Sequence, residues 1–395
     1  MKLLQINSVC GIRSTGRICT DIAEILRQEG HECKIAYGRE SAPEKHRSIA
    51  HRIGSELDVK LHALRTRLFD SMGLGSSRAT KRLIKWIEDY DPDVIHLHNL
   101  HGYYINIKIL FEYLARANKP VVWTLHDCWS FTGHCVHFER IGCRKWSEGG
   151  CHACPAKSNY PSALLRDASA RNFKLKKRLF TAVKDLTVVV PSEWLAALVR
   201  QSFLGGCKVR VIPNGIDLSV FQPTPGDFRE RHGLGDKRIL LGVASAWGHG
   251  KGLGDFIKLS SMLDDSYQIV LVGLTAEQKA ALPPAILGIE RTNSTRELAE
   301  IYTAADLCLN LTYADTYPTV NLEAQACGTP VITYRTGGSP ESVSPEAVVE
   351  QGDLEGLCHV IKSFEPKQIS GTERFDKIQR FKEYIELYKS LEDRK

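Results

Sequence analysis

The chain has 395 residues, is 43% hydrophobic and 25% charged, and carries a formal net charge of +6 from 52 basic and 46 acidic side chains. This is the composition of an ordinary globular protein, and the length suits two domains of about 200 residues each. The mild charge calls for no nucleic-acid partner, no apolar run reaches the roughly 18 residues of a membrane-spanning helix, and the opening MKLLQINSVCGIRS is too short an apolar run for a signal peptide. The expected location is therefore cytoplasmic.

In chain order, short apolar runs alternate with amphipathic stretches. Strands are expected over residues 3–8, 32–37, 94–98, 121–126 and 186–191, with helices at 17–29, 77–89 and 105–117 between them. The second half repeats the pattern, with strands at 238–245, 268–273, 306–311 and 330–334 and helices at 252–263, 275–281 and 295–304. Such alternation predicts parallel sheets covered by helices on both faces, and two halves predict two Rossmann-like domains. The boundary is expected where Pro191-Ser192-Glu193-Trp194 gives way to the Asn214-Gly215 turn and the Pro-rich 222–226 stretch. The tail at 375–391 reads as a helix with Phe381, Tyr384, Leu387 and Tyr388 on one side.

Between residues 160 and 185, seven basic side chains face two acidic ones, and Arg171, Lys174 and Arg178 share one helical face. A solvated helix face is one reading. Contact with an anionic membrane surface or an acceptor diphosphate is the other.

Cysteines number twelve. Cys33 and Cys308 fall in apolar strand runs and read as small core residues. Cys135, Cys143, Cys151 and Cys154 lie within twenty residues and end in C-x-x-C. That arrangement points to a structural zinc that would staple a long loop, with metal-free thiols and redox chemistry as alternatives.

Polar clusters follow several strands, where ligands of open α/β sheets bind. After the first strand, Gly11 and Gly16 flank a loop lacking the dinucleotide G-x-G-x-x-G pattern, and the second strand ends in Tyr37-Gly38-Arg39, without an acid for a ribose diol. Both features argue against an NAD enzyme. His96-Leu-His98-Asn99-Leu-His101-Gly102-Tyr103 follows the third strand and His126-Asp127 the fourth. Lys251 precedes a helix start, where an ammonium suits a phosphate.

The most specific segment runs from Asp315 to Glu341, DTYPTVNLEAQACGTPVITYRTGGSPE. Pro318 fits a first helical position, with Asp315 or Thr316 as cap. Glu323 then lies about five residues, or roughly 7 Å, into the helix, so that a diphosphate at the helix start would have one carboxylate at each end. Thr336-Gly337-Gly338-Ser339-Pro340 follows the next strand as a turn, with Ser339 as helix cap.

The spacing of an acid, seven residues and a Glu resembles the paired-acid motif of retaining glycosyltransferases of family 4, which have the GT-B fold. The histidine loops resemble the acceptor domain of a subgroup in capsule, exopolysaccharide and colanic-acid-type synthesis. The resemblance spans nearly the whole chain. It implies two Rossmann-like domains with parallel sheets facing across a cleft. Residues 1–190 would bind the acceptor and carry a Cys-rich insertion at 128–160. Residues 191–372 would bind the nucleotide sugar, and 373–395 would form a helix crossing back to the first domain.

By the same resemblance, His126 and Asp127 would serve the transfer together with Asp315, which holds the sugar. Gly16, Lys251, Tyr317, Pro318, Thr319 and Glu323 would line the donor site, and His98, Asn99, His101 and Tyr103 the acceptor side. Family members often carry an Arg several residues before Lys251; here Ser245, Ala246 and Trp247 occupy that region. The implied reaction moves a hexose from a nucleotide sugar, expected to be UDP-linked, to a polyprenyl-linked or oligosaccharide acceptor. It needs no cofactor for catalysis and would place the protein against the inner face of the plasma membrane. The rival readings are a nucleotide-sugar 2-epimerase on the same fold and a non-catalytic sugar- or partner-binding protein.

Overall fold

The computed structural model describes residues 1–364 and 369–392. They divide into two compact units. One is Met1–Ile212 together with the C-terminal segment from Phe381, and the other is Pro213–Arg380.

The first unit runs β1 (Lys2–Asn7), α1 (Arg13–Gln28), β2 (Glu32–Tyr37), β3 (Ala50–Arg52), α2 (Glu56–Phe69), α3 (Ser77–Tyr90), β4 (Val94–Leu97), α4 (Ile107–Leu114), β5 (Val121–Thr124), α5 (Ser169–Phe180), β6 (Leu186–Val190), α6 (Glu193–Gln201) and β7 (Lys208–Val211). Its strands form one parallel sheet in the order β3-β2-β1-β4-β5-β6-β7. Strands β4, β5 and β6 are buried throughout. Helices cover both faces, which is why these strands read as unbroken apolar runs and not as alternating ones.

The sheet does not stop near residue 190. Ser192, read as part of a boundary, caps α6 by accepting from Leu195 N–H, and β7 then pairs with β6 from Thr187↔Lys208 to Val190↔Val211. The first unit therefore extends to Ile212. Strands β3 and β7 lie at the sheet edges, where half-buried residues give a weak apolar signal.

Only residues 169–180 of the basic stretch are helical, so Leu164 lies outside α5 and is exposed. One of its seven cations, Lys176, is buried. Its Nζ donates to the carbonyls of Trp129 (2.6 Å) and Thr132 (3.1 Å) and stands 3.4 Å from the centre of the Trp129 ring. Two carbonyls and an aromatic face compensate part of the lost hydration, and burial still holds this ammonium down at about 7.

The second unit runs α7 (Phe228–Arg231), β8 (Arg238–Val243), α8 (Leu253–Ser260), β9 (Tyr267–Val272), α9 (Ala276–Ala280), β10 (Ile286–Ile289), α10 (Thr295–Ala304), β11 (Leu307–Asn310), α11 (Thr319–Ala326), β12 (Val331–Tyr334), β13 (Val348–Val349) and α12 (Leu354–Ser363). Its parallel sheet has the order β10-β9-β8-β11-β12-β13.

The last helix, α13 (Lys377–Glu392), starts in the second unit. From Phe381 onward it belongs to the first. Phe381, Tyr384, Ile385 and Tyr388 share a core with Ile18, Ile22 and Leu26 of α1. Tyr388 Oη meets His96 Nδ1 at 2.7 Å, and Thr124 Oγ1 donates to Tyr384 Oη at 3.2 Å. Of the segment expected to cross back, 393–395 lie outside the described residues. No helix among the described residues is long and apolar enough to cross a membrane.

Candidate functional site

The order of the second sheet reverses between β8 and β11, and loops beyond the carboxyl ends of such neighbours form the ligand crevice of an open α/β sheet. Lys251 follows β8 and Asp315 follows β11. The sequence leaves them 64 positions apart, and the fold brings Lys251 Nζ to 2.8 Å from Asp315 Oδ2. The Lys251 loop is fixed from behind. Gly250 O accepts from Tyr313 N–H (3.0 Å) and Thr312 Oγ1 (3.2 Å), and Gly252 has φ +74° with no room for a Cβ beside Leu311 O.

Helix α11 begins one residue later than the motif predicts. Pro318 is the N-cap with extended backbone, not the first helical residue, and no side chain caps the helix. Asp315 turns its carboxylate toward Lys251 and toward Tyr317 N–H (3.3 Å) instead of capping α11. Among the described residues the leading amides of α11 thus have no side-chain cap, and they carry the positive end of the helix dipole. Glu323 is the fifth residue of α11 and accepts from Tyr302 Oη at 3.0 Å. Tyr302 was not anticipated. Its phenol anchors Glu323 from α10, and burial followed by that carboxylate pushes its acidity far out of reach.

The Gly-Gly turn also differs in detail. Gly338 caps a short 3-10 turn over Ser339–Ser342, and the buried Ser339 hydroxyl has no hydrogen-bond partner among the described residues. Gly337 has φ +54°, and a Cβ there would overlap Asp315 O, so glycine is needed to let this turn close on the Asp315 loop. Gly338 N–H donates to that same oxygen at 3.2 Å. Tyr317 is buried, and its carbonyl accepts from Asn214 Nδ2 at 3.1 Å. Trp247 does not stand in for the absent Arg. It is buried against Phe256, and its indole N–H donates to Val272 O.

In the first unit the order reverses between β1 and β4. His98 and Asn99 follow β4, and Asn99 N–H donates to Asn7 Oδ1 at 3.3 Å. A chain of hydrogen bonds sets the protonation of the histidines. The Cys19 carbonyl can only accept, so the group 2.8 Å from it is the Gln5 amide nitrogen, and Gln5 Oε1 faces His98 Nε2 at 3.0 Å. His98 Nε2 therefore carries the hydrogen. Burial, then His96 and His126, hold His98 neutral far below the usual imidazole range, so its Nδ1 accepts. His126 Nε2, 3.2 Å away, must donate. His126 is itself held at about 4, mainly by burial, and presents a neutral ring with its lone pair on Nδ1. Gln5 escaped the sequence reading, although an amide within the apolar run Leu3-Leu4-Gln5-Ile6 is itself a signal.

Asp127 pairs with His101 Nε2 at 2.6 Å and accepts from Trp129 N–H at 2.8 Å. Burial alone would raise this carboxyl; the His101 ring outweighs it and holds Asp127 at about 2. His101 Nδ1 reaches the Tyr160 hydroxyl at 3.3 Å, and Tyr103, in the left-handed region at φ +69°, packs edge-on to Tyr160. His98, Asn99, His101, His126 and Asp127 line one small cavity of about 10 Å³. Gly16 lies inside α1, tight against Val9, so its lack of a side chain is accounted for by helix–loop packing.

Among the described residues no three His, Cys, Asp or Glu side chains gather as ligands of one metal ion. Of the expected zinc set, Cys151 Sγ accepts from Gly133 N–H at 3.1 Å. All four of the set, Cys135, Cys143, Cys151 and Cys154, are free thiols. The insertion is held by other means. Buried Asp70 accepts from His134 Nδ1 (2.7 Å) and Ala168 N–H (2.8 Å), and burial, which would discharge His134, loses to that carboxylate.

Two family descriptions match the chain: Glycosyltransferase Family 4 over residues 15–220 and Glycosyl transferases group 1 over 237–364. WcaC of Escherichia coli (strain K12), a proposed glycosyl transferase of colanic acid biosynthesis, is 24% identical over 99% of this chain and 100% of its own. A D-inositol 3-phosphate glycosyltransferase of Stackebrandtia nassauensis is 34% identical, over 35% of each chain. Among solved structures, sucrose-phosphate synthase of Thermosynechococcus elongatus superposes with TM-score 0.72 at 17% identity, covering 100% of both chains. Anabaena Alr3699/HepE in complex with UDP-glucose gives 0.66 at 16% identity, over 99% of this chain and 100% of that one. These structures share the GT-B fold.

Proposed function

Because the chain belongs to glycosyltransferase family 4, we propose that it transfers a hexose from a UDP-sugar, with retention, to a hydroxyl of a growing lipid-linked surface polysaccharide at the cytoplasmic side of a membrane. The observation that carries this reading is the group at the second sheet's reversal point: Lys251, Asp315, the uncapped start of α11 and Glu323. Glu323, steadied by Tyr302, accepts from the ribose hydroxyls. The α11 amides and Lys251 stabilise the charge that develops on the departing diphosphate. Asp315 orients Lys251 and accepts from a sugar hydroxyl. In the first unit, neutral His126 positions the sugar, while Asp127, His98, Asn99, His101 and Tyr103 serve the acceptor.

In the proposed step the bond between the anomeric carbon and the diphosphate oxygen breaks. The acceptor oxygen bonds to the same face of that carbon, and the acceptor's proton leaves with the diphosphate. No metal takes part. The relative in colanic acid biosynthesis and the UDP-glucose complex of a similar fold support the choice of pathway class and donor.

Proton NMR of the product from a UDP-hexose and an oligosaccharide acceptor tests the reading through the anomeric coupling constant. The expected product keeps the donor's anomeric configuration. An inverted product, or an epimerised hexose formed with no acceptor present, overturns it.

A further inference from the structure

Helix α2 is turned inside out. Its buried residues are His62 and Thr66, while Leu57 (64% exposed), Leu61 (56%) and Leu64 (56%) form a stripe along its outer face. Spacings of four and three residues keep the stripe on one side of the helix. The helix has not merely rolled. His62 Nε2 accepts from Gly75 N–H and His62 Nδ1 meets Ser76 Oγ, both at 3.0 Å, so the ring is bonded on both nitrogens and fixes the orientation of α2.

A second segment extends the patch. Leu164 N–H donates to Arg67 O at 2.7 Å, which ties Leu164 (60% exposed) and Leu165 (72%) to the last turn of α2, where Phe69 is also exposed (48%). Six of the eleven exposed large apolar side chains among the described residues belong to these two segments. Isolated exposed leucines are ordinary, but a stripe of them on a helix of fixed orientation, with two more tethered to its last turn, marks a contact surface.

Charge identifies the partner. From Val59 to Phe69 the chain carries Lys60, Arg65 and Arg67 and no acid, and Arg166 follows Leu165. The acids at the helix start are engaged: Glu56 pairs with Arg52 at 2.6 Å, and Asp58 closes the capping box with Ser55. A second copy docked about a twofold axis would set this cationic face against itself. A bilayer with anionic headgroups accepts the leucines into its interface and the cations at its surface.

We propose that α2 and Leu164–Leu165 form a membrane-docking surface for anionic lipid. The proposal deepens the lipid-linked acceptor part of the functional reading.

Flotation of the full chain with vesicles tests it, using phosphatidylcholine alone and phosphatidylcholine with one-third phosphatidylglycerol. Binding to the anionic vesicles is expected to exceed binding to neutral ones by roughly tenfold or more and to weaken with salt. Two variant sets, Leu61→Gln with Leu165→Gln and Lys60→Ser with Arg65→Ser and Arg67→Ser, each lower it by about tenfold. All five positions are exposed, so the fold is retained. Absent binding, equal binding to both vesicles, or anionic binding untouched by the leucine pair overturns the proposal. Self-association that the leucine pair abolishes also overturns it, in favour of a second copy. None of these residues belongs to the nucleotide group, so UDP affinity measured on the same preparations reports separately on the functional reading.

Discussion

Lys251→Ala is expected to lower the transfer rate by on the order of 10²–10³-fold, about 3–4 kcal/mol of transition-state stabilisation. The ammonium is the only Lys or Arg side chain paired with Asp315 among the described residues, and it stands at the reversal point of the sheet. Removing it has two consequences. The diphosphate loses a point charge, and the Asp315 carboxylate, only 20% exposed, remains beside the developing negative charge. Lys251→Ala with Asp315→Asn should therefore lose less activity than the sum of the two single changes, because the second change removes the stranded carboxylate. A steady-state assay of all three variants checks this. If Lys251 served only to brace the loop, Lys251→Ala would lower thermal stability and leave kcat and UDP affinity close to wild type.

The second large effect is on stability toward acid. His62 and His126 are held at about 4, and His96 and His98 lie well below the usual imidazole range, in each case chiefly because burial disfavours the charged ring. The folded state binds fewer protons than the unfolded chain between about pH 4 and 6.5, so stability falls as pH drops through that window. At pH 5 the His62 and His126 rings, held at about 4, each cost roughly 2 kcal/mol relative to neutral pH, a large share of a typical folding free energy, and His96 and His98 act in the same direction. Two nearby groups have other windows. His134 is raised by Asp70, so its contribution is complete below 6.5 and is lost only as pH rises through its folded value. Asp127, at about 2, contributes above the usual Asp range and is lost only as pH falls through 2. Urea unfolding of the full chain, followed by tryptophan fluorescence, reads the effect. Trp86, Trp123, Trp129, Trp146 and Trp194 all lie in the first unit. The midpoint is expected to be clearly lower at pH 5 than at pH 7.5. An equal or higher midpoint at pH 5 contradicts the burial-based account of these rings.

Much of the fold is legible from local pattern. The interior strands β1, β2, β4, β5, β6, β8, β9, β11 and β12 are apolar runs, and a parallel strand buried on both faces has to be one. The edge strands β3, β7, β10 and β13 are short and partly exposed, so the same criterion passes over them. Ser192 illustrates a local signal with two meanings, since a Pro-Ser-Glu sequence serves equally as a linker and as a helix cap. Helix α2 is illegible for a different reason. Its apolar stripe points outward, so periodicity gives no warning that His62 and Thr66 form the buried face.

The site divides in the same way. Asp315, Glu323 and the Gly-Gly turn stand close in sequence, and their spacing alone suggests a diphosphate at a helix start. The Lys251–Asp315 pair, the Tyr302–Glu323 bond and the Gln5–His98–His126 chain join residues 64, 21 and up to 93 positions apart. Only the order of the strands brings them together.

The central claim is that a nucleotide sugar binds at Glu323 and the start of α11. Calorimetric titration of UDP, GDP and ADP into the wild-type chain and into Glu323→Ala tests it most directly. The account predicts tight binding of UDP and a loss of roughly tenfold or more in the variant, about 1.4 kcal/mol. Absence of binding by all three nucleotides, or UDP affinity unchanged by Glu323→Ala, would contradict it.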